Sequence, residues 1–323
     1  MINIFHRKKR IPSKKVGLAL GSGSARGWSH IGVIRALAEA GIRVDYIAGT
    51  SIGALVGAVY ASGEIDALEE VVLQLDWKKI AYLFDVVFPK SGLIDGKKVS
   101  VFIQKHVKEI NIEDLSLPFC AVSTDLTTGD EIAIREGNII EAVRASISVP
   151  GIFTPFKKNG TILVDGGLVN PVPVSVVREM GAEFVIAVDL NHNIIGNNGF
   201  EKTPGRDSGK GFSEKKGRQN REKRNKLLEA LNKRIEAVDF PALTQIRQWM
   251  KKEPLPSIFE VLATSASIME TQITTIRLKT DPPDILIQPN LGHIKFLEYN
   301  RAKEAIDEGY KEGGNEIRKF LGV

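Results

Sequence analysis

Apolar positions along this chain fall into short runs of four to six residues, separated by longer stretches in which they recur every three or four. The runs read as strands: 15–20, Val44-Asp45-Tyr46-Ile47-Ala48, 119–124, 161–165, 184–188 and 284–288. The stretches between them read as helices, over 28–40 (Ile31, Ile34, Leu37 and Ala38 on one stripe), 54–61, 64–83 (Leu68, Val71, Val72, Leu75), 97–107, 139–146 and 172–180. Residues 84–96 look like a loop, and 130–134 pairs with 119–124 around Thr127-Thr128-Gly129. Strand and helix alternate, which predicts an α/β fold with a largely parallel sheet and helices on both faces.

The alternation breaks near Asn191. Residues 193–226 are rich in Gly, Asn, Lys, Ser and Arg, with too few apolar side chains to pack a core, and are expected to be mobile. Helical spacing returns at 226–240, where Leu227, Leu228, Leu231, Ile235 and Val238 could face the core, a partner or a membrane interface. Trp249-Met250-Lys251-Lys252 is a further candidate interfacial anchor. Order resumes with a helix over 257–275 and closes with an amphipathic helix over 296–320. The expected organisation is a basic tail (1–15), a core (16–192), a basic insertion with an amphipathic helix (193–256), and a C-terminal part of the same α/β domain (257–323).

Composition narrows the class. Charged residues make up 26% and hydrophobic residues 43%, as in an ordinary soluble globular protein. The one cysteine, Cys120, excludes an internal disulfide and a Cys-rich zinc site, and its apolar flanks suggest a buried strand thiol. No apolar run approaches the roughly 20 residues needed to span a bilayer. The expected location is cytoplasmic, with a peripheral contact at the inner face of the membrane as the functional reading of the charge. The net charge of +5 is unevenly spread: residues 6–15 and 206–226 each carry a net +6, which leaves the remainder at −7. Solvated tails are the bland account of these segments. Attraction to anionic phospholipid headgroups is the functional one. Nucleic acid is not expected, because no interleaved aromatics or binding motif accompany the charge.

The densest chemistry lies at Gly49-Thr50-Ser51-Ile52-Gly53, between a strand and an apolar helix. Gly-x-Ser-x-Gly in that setting is the context of a nucleophile elbow. Side chains at Gly49 and Gly53 would clash where strand and helix converge, and Ser51 is held out over a helix N-terminus. The same residues could instead form an N-cap beside a tight turn.

A serine nucleophile needs a base, and histidine is the usual one. His6, His30, His106, His192 and His293 all lack a catalytic setting in sequence. Carboxylates at strand ends are better placed: Asp125, Asp165 and Asp189, with Asp165 set apart by the following Gly166-Gly167. Each could equally form an Asx-turn. The loop Gly21-Ser22-Gly23-Ser24-Ala25-Arg26-Gly27 evokes a dinucleotide fingerprint with Asp45 as its acid. Placement weakens that reading, since Asp45 opens its strand rather than ending it. The alternative is an oxyanion hole built from the loop's amides, with Arg26 bracing the loop or facing a phosphate.

The glycine loop, Gly-Thr-Ser-Ile-Gly, Ala145-Ser146-Ile147-Ser148-Val149-Pro150 and Asp165-Gly166-Gly167 occur in an order and spacing that resemble the patatin-like phospholipases. The likeness is to the bacterial branch similar to the neuropathy target esterase catalytic domain, over residues 16–190. It implies a three-layer α/β/α sandwich and a serine lipid acyl hydrolase acting on phospholipid, lysophospholipid or other acyl esters, without metal or cofactor. By position it makes Ser51 the nucleophile and Asp165 the base of a Ser-Asp dyad. Gly49 and Gly53 then shape the elbow, and Gly23, Ser24, Arg26 and Gly27 form the oxyanion loop. Ser22 and Ser24 replace two of the family's glycines, which restricts the backbone there. A carboxylate of ordinary pKa near 4 is a weak base toward serine, so partial desolvation and a short Ser-Asp hydrogen bond would have to compensate, and modest turnover is expected. Two other readings stand beside this one: a scaffolding protein at membranes with little turnover, and acyl transfer to a carrier. The oligomeric state, headgroup and chain-length preference are not legible in the sequence.

Overall fold

The computed structural model describes residues 14–83, 95–107, 110–194 and 258–322. The basic stretch at 1–13, the loop-like segment at 84–94 and the basic and amphipathic stretches between 195 and 257 lie outside the described residues.

Eight strands form one sheet: β1 (Val16–Leu20), β2 (Tyr46–Thr50), β3 (Phe119–Asp125), β4 (Glu131–Ile134), β5 (Phe156–Lys158), β6 (Thr161–Asp165), β7 (Phe184–Val188) and β8 (Ile285–Ile287). Their order is β5-β6-β3-β2-β1-β7-β8, with β4 paired to β3 off this path. The centre is parallel, from β3 through β2, β1 and β7 to β8. The β3–β4, β3–β6 and β5–β6 pairs are antiparallel. The helices are α1 (Ser29–Glu39), α2 (Ile52–Ala61), α3 (Ile65–Leu73), α4 (Trp77–Leu83), α5 (Lys97–His106), α6 (Ile139–Ser146), α7 (Val174–Glu179), α8 (Ile258–Thr280) and α9 (Ala302–Leu321).

The two-residue period of the strands sorts the core into two layers. Leu18, Leu20, Ile47, Ile186 and Val188 belong to the larger apolar cluster, with α1, α2 and α9. Ala19, Ala48, Cys120, Val185 and Ala187 point the other way, toward α7. Two cores on opposite faces of one sheet make a three-layer α/β/α sandwich. α1 and α9 approach so closely that a Cβ on Gly32 would collide with the Ile306 carbonyl, and one on Gly309 with the Ser29 carbonyl. Cys120 is fully enclosed, and burial pushes its thiol up to about 12, which removes it as a nucleophile.

The structure departs from the sequence pattern at identifiable places. The helix expected over 64–83 is two helices, α3 and α4, because Asp76 Oδ1 accepts the Lys79 amide at 2.8 Å and starts a new N-terminus. The second strand runs two residues further than expected, through Gly49 and Thr50 to the elbow itself. Strand β5 was not anticipated; it joins β6 through Asn159-Gly160, both at positive φ, the signature of a tight hairpin turn. The helix expected over 172–180 begins at Val174, just after Pro173. The closing helix begins as a 3-10 turn at Tyr299–Arg301.

Candidate active site

Strand β2 delivers Ser51 to the top of the sheet. The residue has φ 57° and ψ −122°, a region that side chains rarely enter and that costs about 1–3 kcal/mol. Its neighbours hold it there. A Cβ on Gly49 would overlap the Gly53 carbonyl, and one on Gly53 the Leu20 carbonyl. Thr50 Oγ1 donates to Asn170 O at 2.8 Å. The Ser51 amide donates to Ser146 Oγ at 2.9 Å, and Ser146 Oγ donates to Val122 O at 2.5 Å.

Asp165 ends β6, which pairs antiparallel to β3 with Ser123 opposite Asp165. Its amide donates to Ser148 O at 3.0 Å, and its carbonyl accepts Thr124 Oγ1 at 2.9 Å. The carboxylate divides its oxygens: Oδ1 takes the Gly167 amide at 2.7 Å, and Oδ2 takes the Ser51 hydroxyl at 2.5 Å. Both residues are buried, Asp165 at 2% exposure. Burial, with Glu270 nearby, pushes the Asp165 carboxyl up to about 7 against the pull of its hydrogen bonds. The desolvation expected to lift this carboxyl above the ordinary range is present as burial, and the Glu270 charge adds to it.

The glycine loop passes directly beneath. Gly23 precedes a 3-10 turn over Ser24–Trp28, and a Cβ on Gly23 would lie 2.8 Å from Leu190 Cβ. Ser24 has φ 52°, the left-handed conformation that glycine would adopt freely, and it is tied down by its side chain. Ser24 Oγ donates to Phe296 O at 2.6 Å and receives the Tyr299 hydroxyl at 2.8 Å. The amides of Ala25 and Arg26 are spent on Phe296 O and Gly23 O, both at 3.2 Å. Those of Gly23 and Ser24 donate to no described residue. The Arg26 side chain is buried and braces the loop, with Nε on Gly23 O at 3.1 Å and an Nη on Asn191 Oδ1 at 3.0 Å. Burial lowers the guanidinium only to about 10, so it stays charged. Gly27 packs against Ile52, where a Cβ would overlap the Ile52 side chain. Of the four loop residues singled out in the sequence, Gly23 and Ser24 thus have amides to offer, while Arg26 and Gly27 support them.

Sequence reasoning missed Glu270. It lies on α8 and is half-buried, with its carboxylate as the enclosed end. Oε2 accepts Ser22 Oγ at 3.0 Å and Asn191 Nδ2 at 2.8 Å. A Cβ on Gly167 would sit 2.5 Å from Glu270 Oε1 and 3.1 Å from Asp165 Oδ1, so that glycine leaves room for two carboxylates. Burial raises Glu270 above the usual carboxylate range, with Ser22, Arg26 and Asn191 opposing.

The other candidates resolve as structural. Asp125 Oδ1 caps the Thr127 amide at 2.8 Å in an Asx-turn. Asp189 binds the Asn191 amide and Gln288 Nε2, both at 2.9 Å. Asp45 takes the Val16 amide at 2.9 Å, which with Lys15 holds its carboxyl below the usual range and leaves no role toward a ribose. His30 is buried, its Nε2 donates to Gly21 O at 2.8 Å, and burial lowers it to about 4, so it is neutral and supports the loop. His293 lies at the surface beside Glu304. Among the described residues no cluster could hold a metal ion.

A narrow apolar cavity of about 80 Å³ opens at Ser51, with Ser24 and Ser51 at its polar end and Leu55, Ile80, Phe102 and Phe296 along its walls. A larger polar cavity of about 410 Å³ lies between α8 and the end of β7, beside Asp189, His192 and Thr274, and is lined by neither Ser51 nor Asp165.

The sequence model of the patatin-like phospholipases matches residues 18–178, which hold the loop, elbow and Asp165 together. Residues 18–178 belong to the patatin-like phospholipase family. An uncharacterized NTE family protein of Mycobacterium tuberculosis is 39% identical over 196 residues, 61% of this chain and 52% of its own, so the match spans about half the relative's length. The human patatin-like phospholipase domain-containing protein 6 is 37% identical over 194 residues, 58% of this chain and 14% of that protein. A crystal structure of VipD from Legionella pneumophila aligns over 96% of this chain and 67% of its own, at 13% identity and a TM-score of 0.42. The patatin fold accounts for the sandwich, and no helix among the described residues is long and apolar enough to cross a membrane.

Proposed function

We propose that the protein is a serine lipid acyl hydrolase that cleaves acyl esters through a Ser51–Asp165 dyad and an acyl-enzyme. The observation that carries this reading is the buried 2.5 Å contact from Ser51 Oγ to Asp165 Oδ2, set at the polar end of an apolar slot. Ser51 Oγ attacks the ester carbonyl as its proton passes to Asp165 Oδ2. The Gly23 and Ser24 amides receive the developing oxyanion. The alcohol or lysophospholipid departs with the proton that Asp165 held. Water, deprotonated by Asp165, then releases the fatty acid and restores Ser51. A base near 7 is half ionised at neutral pH and still strong enough to assist a hydroxyl. The apolar walls suit an acyl chain, and the matching family's name supports a phospholipid or lysophospholipid as its source.

Wild type, Ser51→Ala and Asp165→Asn should be compared with a fluorophosphonate probe and with short and long p-nitrophenyl esters. Labelling and hydrolysis by wild type alone are expected. Labelling that survives Ser51→Ala would remove the nucleophile. A folded wild type that neither labels nor hydrolyses would leave the scaffolding reading in its place.

A further inference from the structure

Helices α4 and α5 have two unlike faces. Toward the interior, Ile80 of α4 and Val99 and Phe102 of α5 line the slot that ends at Ser51. On the outside, Trp77 is 39% exposed, Tyr82 67% and Val101 50%, with Leu73 at the end of α3 at 46%. Lysines stand among these apolar groups. The sequences of α4 and α5 hold five lysines and no acidic residue, in a chain whose bulk outside its two basic segments is net acidic. Lys78 and Lys79 are exposed, and Lys98 Nζ lies 4.0 Å from the centre of the Tyr82 ring, which places α4 and α5 side by side. Asp76 precedes α4 and accepts the Lys79 amide, Lys79 Nζ donates to Gln74 O at 2.9 Å, and Asp95 precedes α5, so the lysines outnumber the acids that flank these helices.

We infer that the outer faces of α4 and α5 form an interfacial surface that seats the mouth of the acyl slot on anionic phospholipid. Trp and Tyr are the residues favoured at the headgroup level of a bilayer, where ring and polar tip are both accommodated. Lysines beside them meet the negative surface potential. Continuity decides the partner: the helices that carry these groups also wall the slot, so a seated surface presents acyl chains to the opening. The choice of lipid as the occupant rests on the acyl hydrolase reading.

The experiment uses the full chain carrying Ser51→Ala, so that binding is measured without turnover. Vesicles of equimolar phosphatidylcholine and phosphatidylglycerol are compared with phosphatidylcholine alone. Trp77→Ser with Tyr82→Ser, and Lys78→Glu with Lys79→Glu, should each lower partitioning onto the anionic vesicles by about tenfold or more, since one lysine is worth about fivefold. With Ser51 restored, the same pairs should hydrolyse p-nitrophenyl butyrate at the parent rate, which shows that they fold. Trp28 lines the slot and an acyl chain could reach it, so in a Trp28→Phe, Trp249→Phe background brominated lipid should quench Trp77, the tryptophan that remains. Partitioning unchanged in both pairs, or a Trp77 that brominated lipid leaves unquenched, would overturn the inference. Binding that depends on these residues in a chain that hydrolyses nothing would uphold the surface and remove the enzyme reading.

Discussion

Ser146 Oγ accepts the Ser51 amide at 2.9 Å and donates to the Val122 carbonyl at 2.5 Å. One hydroxyl thereby fastens the strained elbow to β3, the strand against which Asp165 is registered. Removing it in Ser146→Ala leaves the buried Ser51 amide without an acceptor, which costs about 1–3 kcal/mol. The Ser51 hydroxyl should then wander relative to Asp165, lowering kcat by about ten- to a hundredfold with KM for a short ester little changed. Thermal melting and ester kinetics on the same preparation test this. A lower Tm with full kcat would mean that Ser146 supports the fold and not the nucleophile.

Glu270 raises the Asp165 pKa through its negative charge, and Glu270→Gln removes that charge while keeping an acceptor for Ser22 and Asn191. The groups that face Asp165 are Ser51 from the elbow, Gly167 from the following turn, Tyr299 from the C-terminal 3-10 turn and Glu270 from α8. Ionised Asp165 is the active form, so kcat/KM should rise with pH through about 7 in wild type. In Glu270→Gln the acid limb moves to lower pH, and the variant should outpace wild type severalfold near pH 5. An acid limb that stays in place would show that Glu270 acts only on the loop.

Ser24 sets two effects against each other. Glycine would relieve its positive φ but would add disorder to the unfolded chain, and these offset to within about 1 kcal/mol. Ser24→Gly also cuts the ties to Phe296 O and Tyr299, which hold the loop in register with Ser51. A small change in Tm with a fall in kcat of about tenfold is expected. An increase in kcat would mean that the serine hinders the loop rather than shaping it.

Local features were the legible ones. The elbow, the glycine loop and Asp165 with its two glycines each have a short-range steric cause, so spacing alone exposes them. His30 was placed beside the glycine loop by sequence alone, and it is found there, buried and bound to Gly21 O. Glu270 was not legible, because nothing in α8 distinguishes it from other acids on an amphipathic helix; its role arises where α8 crosses the loop. The desolvation of Asp165 followed from the needs of a carboxylate base, but the Glu270 charge that adds to it was hidden, since a second carboxylate brought in by α8 is a tertiary fact. The Asn159-Gly160 hairpin was readable in principle, but Phe156-Lys157-Lys158 is half exposed and too polar to look like a strand. At Asp76 the helical spacing of Leu68, Val72 and Leu75 ran on past a capping residue, and the cap prevailed.

The Asp165 carboxyl also links activity to stability. Its pKa rises from 3.8 in the unfolded chain to about 7 in the fold, so between those values the folded state binds the extra proton. Stability from this group is therefore fully present below about pH 4 and is lost as pH rises through 7, where a charge must be buried. Asp165→Asn removes that charge and keeps an amide oxygen for the Gly167 amide, with an NH₂ facing Ser51. The variant should lack hydrolase activity yet melt several degrees above wild type at pH 8, with the difference shrinking toward zero near pH 4. Melting curves of both proteins across that range test the linkage. A variant less stable than wild type at pH 8 would show that the ionised carboxylate stabilises this site, and that Asp165 is not held near neutrality by burial.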